Sequence, residues 1–278
     1  MGQQFGGDWT DRKMKIVVEY AKAYLTIMAN YPLLKTIYFD GFAGSGIIDG
    51  DKGEEAKKGT ALQIMDITSP KPFDMYYFVE VNDDYKCALD NQIKLHYSAR
   101  EAHVVKDDCN NKLKALGKFL AANPRYRALA FIDPYGMDVQ WSTIEVLKGL
   151  GVDLWILVPT GVGANRLLKV DGEISDGWYC ALETFLGLSR TEIDKRFYRR
   201  DTVQTLFGEE TVVTKEKQAI QKLGVLYAER LGEIFKFVSD PFIMKNSMNS
   251  IMYHFMMATN NAAGVKIAND VIKPKYGQ

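Results

Sequence analysis

Five apolar, β-forming runs in this chain each stop at an acid or a proline. "KTIYFD" stops at Asp40, "FDMYYFVEVN" near Glu80, "EAHVVKDDCN" near Asp107, "ALAFIDPYG" at Asp133 and "DLWILVPTGVG" at Pro159. After the first, the stops fall 27, 26 and 26 residues apart. Stretches of helical period lie before and between them, at Thr10–Met28, Asp83–His96, 110–122 and Trp141–Leu150. A βαβ unit takes about 30 residues or more, so this pitch predicts successive βα units of a parallel sheet. The first interval is 40 residues because it carries the polar, glycine-bearing segment 47–59, read as a loop, and "GTALQIMDI", which opens a helix.

The pattern then changes. Residues 164–231 are charged and mostly of helical period, as in "LSRTEIDKRFYRR", and read as a helical insertion. Two β-rich runs, 233–245 and 247–260, follow across a short polar turn and predict an antiparallel hairpin. Ala262 to Ile272 closes as a helix. The expected organisation is an α/β domain made of 1–163 and 232–278, with 164–231 inserted. Of the 278 residues 47% are hydrophobic, enough for one large core.

Charge excludes some functions. Lysine plus arginine equals aspartate plus glutamate at 35 each, so any nucleic-acid contact needs a local patch. Three scattered cysteines and three histidines lack metal-ligand or disulfide spacing and point to a reducing compartment. No signal-peptide pattern and no run of about 18 apolar residues is present. A soluble cytoplasmic protein with no membrane partner is expected.

The segment "YFDGFAGSGIIDG" sets the ligand question. A phosphate-binding loop needs a lysine after its last glycine, but Ile47-Ile48 follows Gly46. A dinucleotide turn reads G-x-G-x-x-G, whereas Gly41 to Gly46 reads G-x-x-G-x-G. S-adenosylmethionine, a sulfonium with an α-amino acid end and no phosphate, is the third reading. Glycines admit close main-chain approach. Asp40 can take the ammonium, Glu80 the two ribose hydroxyls, and Asp107 or Asp108 the adenine amino group. A cationic ligand favours such a row of acids and a pyrophosphate does not.

"FIDPYG", residues 131–136, is the second constellation. Asp133 can accept one N–H of an exocyclic amino group and the Pro134 carbonyl the other, while Tyr135 can stack on a base. Trp141, Trp155 and Trp178 read as core, and "KRFYRR", 195–200, as a solvated helix face.

The segments "DGFAGSG", "FVEVN", "FIDPYG" and "FMMATNNAAGVKIANDV" together resemble the bacterial three-Cys-motif partner proteins, within the class I S-adenosylmethionine methyltransferase superfamily. The resemblance covers nearly the whole chain. It implies a Rossmann-like α/β sheet, mostly parallel with an antiparallel terminal hairpin, and S-adenosyl-L-methionine as cofactor. It implies cofactor contacts at Asp40, Gly41, Phe42, Ala43, Gly44, Gly46, Glu80, Val81, Asp107 and Asp108, and catalytic roles for Asp133, Pro134 and Tyr135. The reading of 131–136 makes an amino nitrogen of a nucleic-acid base the expected substrate, and the resemblance implies a protein partner that carries the three-cysteine motif. The alternative is a non-catalytic, cofactor- or nucleoside-binding accessory subunit of a partner enzyme. The family resembles amino-directed methyltransferases whose fourth motif is Asp-Pro-Pro-Tyr or a variant of it; this chain has Asp133-Pro134-Tyr135-Gly136, so its aromatic lies one place nearer the acid.

Overall fold

The computed structural model describes residues 8–48, 56–206 and 208–276. In chain order the first part is α1 (Asp8–Met28), β1 (Lys35–Asp40), β2 (Ile47–Ile48), β3 (Lys57–Lys58), α2 (Thr60–Met65), β4 (Met75–Glu80), α3 (Asp83–His96), β5 (Ala102–Lys106), α4 (Cys109–Ala122), β6 (Tyr126–Ile132), α5 (Trp141–Glu145) and β7 (Val152–Val158). A π-turn at Thr160–Ala164 leads into α6 (Asn165–Leu167), α7 (Asp176–Leu186), α8 (Arg190–Phe197), β8 (Tyr198–Thr205), β9 (Gly208–Lys215) and α9 (Ala219–Gly232). The chain closes with β10 (Phe237–Val238), β11 (Phe242–Lys245), β12 (Ile251–Thr259) and α10 (Ala262–Tyr276).

The central sheet runs β10-β12-β7-β6-β1-β4-β5, with β11 also paired to β12. Strands β5, β4, β1, β6 and β7 are mutually parallel; β12 is antiparallel to β7, and β10 and β11 are antiparallel to β12. This is the mostly parallel, Rossmann-like sheet with an antiparallel terminal hairpin expected from the strand pitch and the resemblance. The chain leaves β1 toward β4 and β5, then returns to β6 on its other side. Strand order therefore reverses between β1 and β6, the place where open α/β sheets form a crevice at their carboxyl edge.

Near-continuous apolar runs suit strands covered on both faces. Alternate residues of one strand feed opposite layers. Ile37 and Phe39 join Ala128, Ala130 and Ile132 under α4, α5, α7 and α9. Tyr38, Leu129 and Phe131 join Trp155 under α1, α2, α3 and α10. Trp155 is fully buried, with Tyr20 at 5.4 Å and Phe255 at 4.8 Å between ring centroids. Truncating such a side chain to alanine costs about 3–5 kcal/mol. Helix starts follow local chemistry: Asn82 caps α3 and Asp108 caps α4 through their side chains.

Several expectations are corrected. The 164–231 span is not wholly helical: β8 and β9 pair as an antiparallel ribbon, and its helices α7 to α9 bury their apolar faces in the same layer as β6 and β7. "KRFYRR" straddles the end of α8 and the start of β8, and Phe197 and Tyr198 are buried. The helix expected over 141–150 keeps its regular form only to Glu145, before Gly149 takes a φ of +75° and Gly151 follows. Within the expected 47–59 loop, β2 pairs with β3, and residues 49–55 lie outside the described residues. Trp178 is 37% exposed with the Lys169 ammonium 5.1 Å from its ring centroid, so it is not core. Among the described residues no helix is long and apolar enough to cross a membrane.

Candidate functional site

Asp40 is the last residue of β1 and is 1% exposed. Its carboxylate accepts from the Phe42 N–H at 3.1 Å and from the Tyr38 hydroxyl at 3.3 Å. Burial dominates and pushes its pKa up to about 7; the Phe42 N–H opposes this, nearby Asp133 reinforces it, and Tyr38 and Lys13 oppose it more weakly.

The turn after Asp40 is built for close approach. Gly44 and Gly46 have φ of +63° and +77°, the left-handed region that glycine enters without penalty. At Gly41 an added Cβ would lie 2.5 Å from the Cys109 sulfur and 2.8 Å from Ile132 Cδ1. Gly41 thus lets β1 pass against the start of α4, a packing reason distinct from the cofactor contact the resemblance implies.

Glu80, at the tip of β4, is 5% exposed and braces this turn. One oxygen accepts from the Gly44 N–H at 2.9 Å and the other from the Asn82 N–H at 2.8 Å. Both oxygens therefore already hold main chain. Asp107 accepts from the Asp108 N–H and the Asn111 side chain, with Lys112 at 3.0 Å; Asn111, then Lys112 and the Asp108 N–H, hold its pKa down to about 2. Asp108 caps α4 and Val81 is exposed.

One cavity gathers the other candidates. Its walls include Asp40 and Phe42 to Ile48 on the turn side, and Phe131, Asp133, Pro134 and Tyr135 on the β6 side. Gly41, Glu80, Val81, Asp107 and Asp108 stand outside this lining. Asp40 faces Phe131 in the β1–β6 register, so Asp133 comes two residues beyond it on the neighbouring strand tip. Pro134 is buried and Tyr135 is 51% exposed.

Three features were missed in the sequence. The first turns of α1 form the third wall, with Trp9, Thr10, Lys13 and Met14. Lys13 is 5% exposed and its ammonium pairs with the Asp133 carboxylate. The signal was available: Lys13 lies on the apolar face of α1 that continues through Ile16, Val17 and Tyr20. Second, Tyr253 on β12 reaches the cavity, its ring 5.6 Å from that of Trp9. Third, buried Asn110 clamps the loop after Asp133: its amide donates to the Asp138 carbonyl at 2.8 Å and accepts from the Gln140 N–H at 2.9 Å. Next to Tyr253, buried His254 shares a hydrogen bond with Thr160 at 2.7 Å, and burial holds its pKa down to about 4. This pair ties the π-turn to β12.

The arrangement can hold a positive group between two acids, pack a flat ring beside Trp9, Tyr135 and Tyr253, and take amino hydrogens on a carboxylate. Lys13 is the only lysine or arginine among the cavity's described lining residues, so the site is poorly suited to a polyphosphate.

No protein-family model matches the chain, and no curated protein matches it. Among solved structures it is similar to a DUF519-family protein from Legionella pneumophila str. Philadelphia 1, at 14% identity and a TM-score of 0.54, covering 98% of this chain and 94% of that one. A complex of Trm1 from Pyrococcus horikoshii with S-adenosyl-L-methionine aligns at 9% identity and a TM-score of 0.40, over 90% of this chain and 64% of that one. Magnesium protoporphyrin IX methyltransferase from Synechocystis PCC 6803 aligns at 10% identity and a TM-score of 0.39, over 93% and 90%. The first likeness is one of fold.

Proposed function

We propose that the chain is an S-adenosylmethionine-dependent methyltransferase that acts on an amino nitrogen of a nucleic-acid base. We further propose that it is a relative of the three-Cys-motif partner proteins and works with a partner of that kind. The observation that carries this reading is the meeting of Asp40 and Asp133 in one cavity, at the reversal of strand order, with a glycine turn on one side and aromatic rings on the other.

The residues present fit the cofactor's chemistry. A buried carboxylate at the tip of β1 suits an ammonium, and glycines with positive φ leave main chain accessible. When bound, the cofactor supplies an electrophilic methyl group on a sulfonium. In this reading Asp40 takes the ammonium, and Glu80 acts through the turn that it braces. Asp133 accepts one hydrogen of the acceptor amino group and the Pro134 carbonyl the other, which turns the nitrogen lone pair toward the methyl carbon. Asp133 keeps its place through Lys13, and its loop through Asn110. Trp9, Tyr135 and Tyr253 line the cavity beside the place where a base, single-stranded or flipped out of a duplex, would lie.

The test is transfer of labelled methyl from S-adenosylmethionine to RNA and DNA, with the Asp133→Ala variant beside the wild type. Label in wild-type reactions and none with the variant supports the reading. Intact cofactor binding with no label on any nucleic acid would leave the accessory-subunit reading instead, which the engagement of Asp133 by Lys13 favours.

A further inference from the structure

The wall that α1 contributes carries a cation and an unpartnered hydroxyl three residues apart. Lys13 is 5% exposed and lines the cavity. Thr10 is 8% exposed, lines the same cavity, and its buried hydroxyl has no hydrogen-bond partner among the described residues. A buried, unpaired hydroxyl is destabilising, so such a group marks a place where a ligand atom can supply the missing bond. Residues three apart share a helix face. Helix α1 begins at Asp8 and runs for 21 residues, so Thr10 lies in its first turn and Lys13 in its second. The start of a helix presents N–H groups that lack intrahelical acceptors, and its dipole favours an anion.

The facing walls have the opposite character, with the carboxylates of Asp40 and Asp133. A ligand bearing an ammonium and a carboxylate on one carbon matches both sides at once. We infer that Thr10 and Lys13 form a carboxylate subsite for the amino-acid end of the cofactor; this rests on the methyltransferase reading above. An ammonium has three N–H donors, so Lys13 can keep Asp133 and hold a ligand carboxylate together. The Thr10 hydroxyl donates the second bond. Through Lys13 the subsite joins the cofactor's tail to Asp133, the residue proposed to orient the acceptor. A nucleic-acid phosphate has the same anionic chemistry and is the competing occupant.

Calorimetry separates the two. S-adenosylmethionine and its decarboxylated analogue differ only in the carboxylate. The wild-type chain should prefer the former by roughly ten- to a hundredfold, the range for charge-assisted hydrogen bonds. Lys13→Met should bring that preference close to unity and Thr10→Val should cut it several-fold, while both bind the analogue within a few-fold of wild type, which also shows that they fold. Full preference in Lys13→Met, or none in the wild type, overturns the inference and leaves the cofactor reading standing. Loss of affinity for a short single-stranded oligonucleotide with the cofactor preference unchanged assigns the subsite to phosphate and likewise overturns it. Failure of the wild type to bind either compound ends both readings.

Discussion

The ammonium of Lys13 pairs with the carboxylate of Asp133 across 120 residues of sequence, joining the first long helix to the loop that follows the fourth parallel strand of the sheet. The contact gives the Asp133 loop a second anchor beside Asn110. It also makes the geometry at Asp133 depend on how α1 is seated.

Replacing Asp133 should therefore separate chemistry from binding. Asp133→Asn keeps the shape but replaces one acceptor oxygen with a donor amide. Methyl transfer should fall by at least about a hundredfold, as when a charge-assisted hydrogen bond of roughly 3 kcal/mol is lost. Affinity for S-adenosylhomocysteine should stay within a few-fold by calorimetry. Unchanged turnover would remove Asp133 from the proposed mechanism.

Asp40→Asn tests the buried acid through stability. The Asp40 pKa is raised in the fold, to about 7, so between the ordinary carboxylate range and pH 7 the native chain holds a proton that the unfolded chain has released. This group's contribution is present at low pH and is lost as pH rises through 7, a change of up to roughly 4 kcal/mol at 1.36 kcal/mol per unit. Asp40→Asn should raise Tm at pH 8 and raise it much less at pH 5. His254 works in the opposite direction: its pKa is lowered to about 4, so its contribution is lost as pH falls from 6.5 toward 4. The difference between variant and wild type at each pH isolates the Asp40 part.

For Asn110→Ala the expected signature is kinetic. The substitution leaves the Asp138 carbonyl and the Gln140 N–H without their clamp, at about 1–3 kcal/mol. The maximal rate of methyl transfer should fall about tenfold or more, in line with a displaced reacting group. Affinity for S-adenosylhomocysteine should hold. A variant that loses stability but keeps its rate would make Asn110 a purely structural residue.

Glu80→Gln should destabilise the chain without any ligand. One of its two main-chain partners, Gly44 or Asn82, would then face an amide donor instead of an oxygen. A loss of about 1–3 kcal/mol is expected in denaturant titrations. Cofactor affinity should fall as the glycine turn loosens. Weaker binding with unchanged stability would instead point to a direct contact with ribose.

Much of the sheet is legible in the sequence because its strands are buried on both faces and spaced by their helices. β1 spans Lys35–Asp40, as read, and the terminal β11–β12 hairpin is in place. The ribbon β8–β9 escapes such reading for a physical reason: "GEETVVTK" is exposed along most of its length, so no alternation of apolar and polar residues marks it. Of the candidate site, Asp40, the glycine turn and Asp133 can be read from strand ends. Glu80 can be located by the same rule, but not its partners, since a carboxylate that braces main chain looks the same in sequence as one that awaits a ligand. The Lys13–Asp133 and Trp9–Tyr253 pairs depend on tertiary packing alone. Lys13 is visible only as a charge on an apolar helix face, and Tyr253 only as one more aromatic in a β-rich run.

Because Trp9 and Tyr253 stand side by side in one wall, no partial fold that lacks either α1 or β12 contains the complete pocket. Occupancy therefore reports that both α1 and β12 are docked on the sheet. Any compound that fits should slow amide exchange even in the slowest-exchanging strands, by a factor that grows in proportion to its concentration above the dissociation constant.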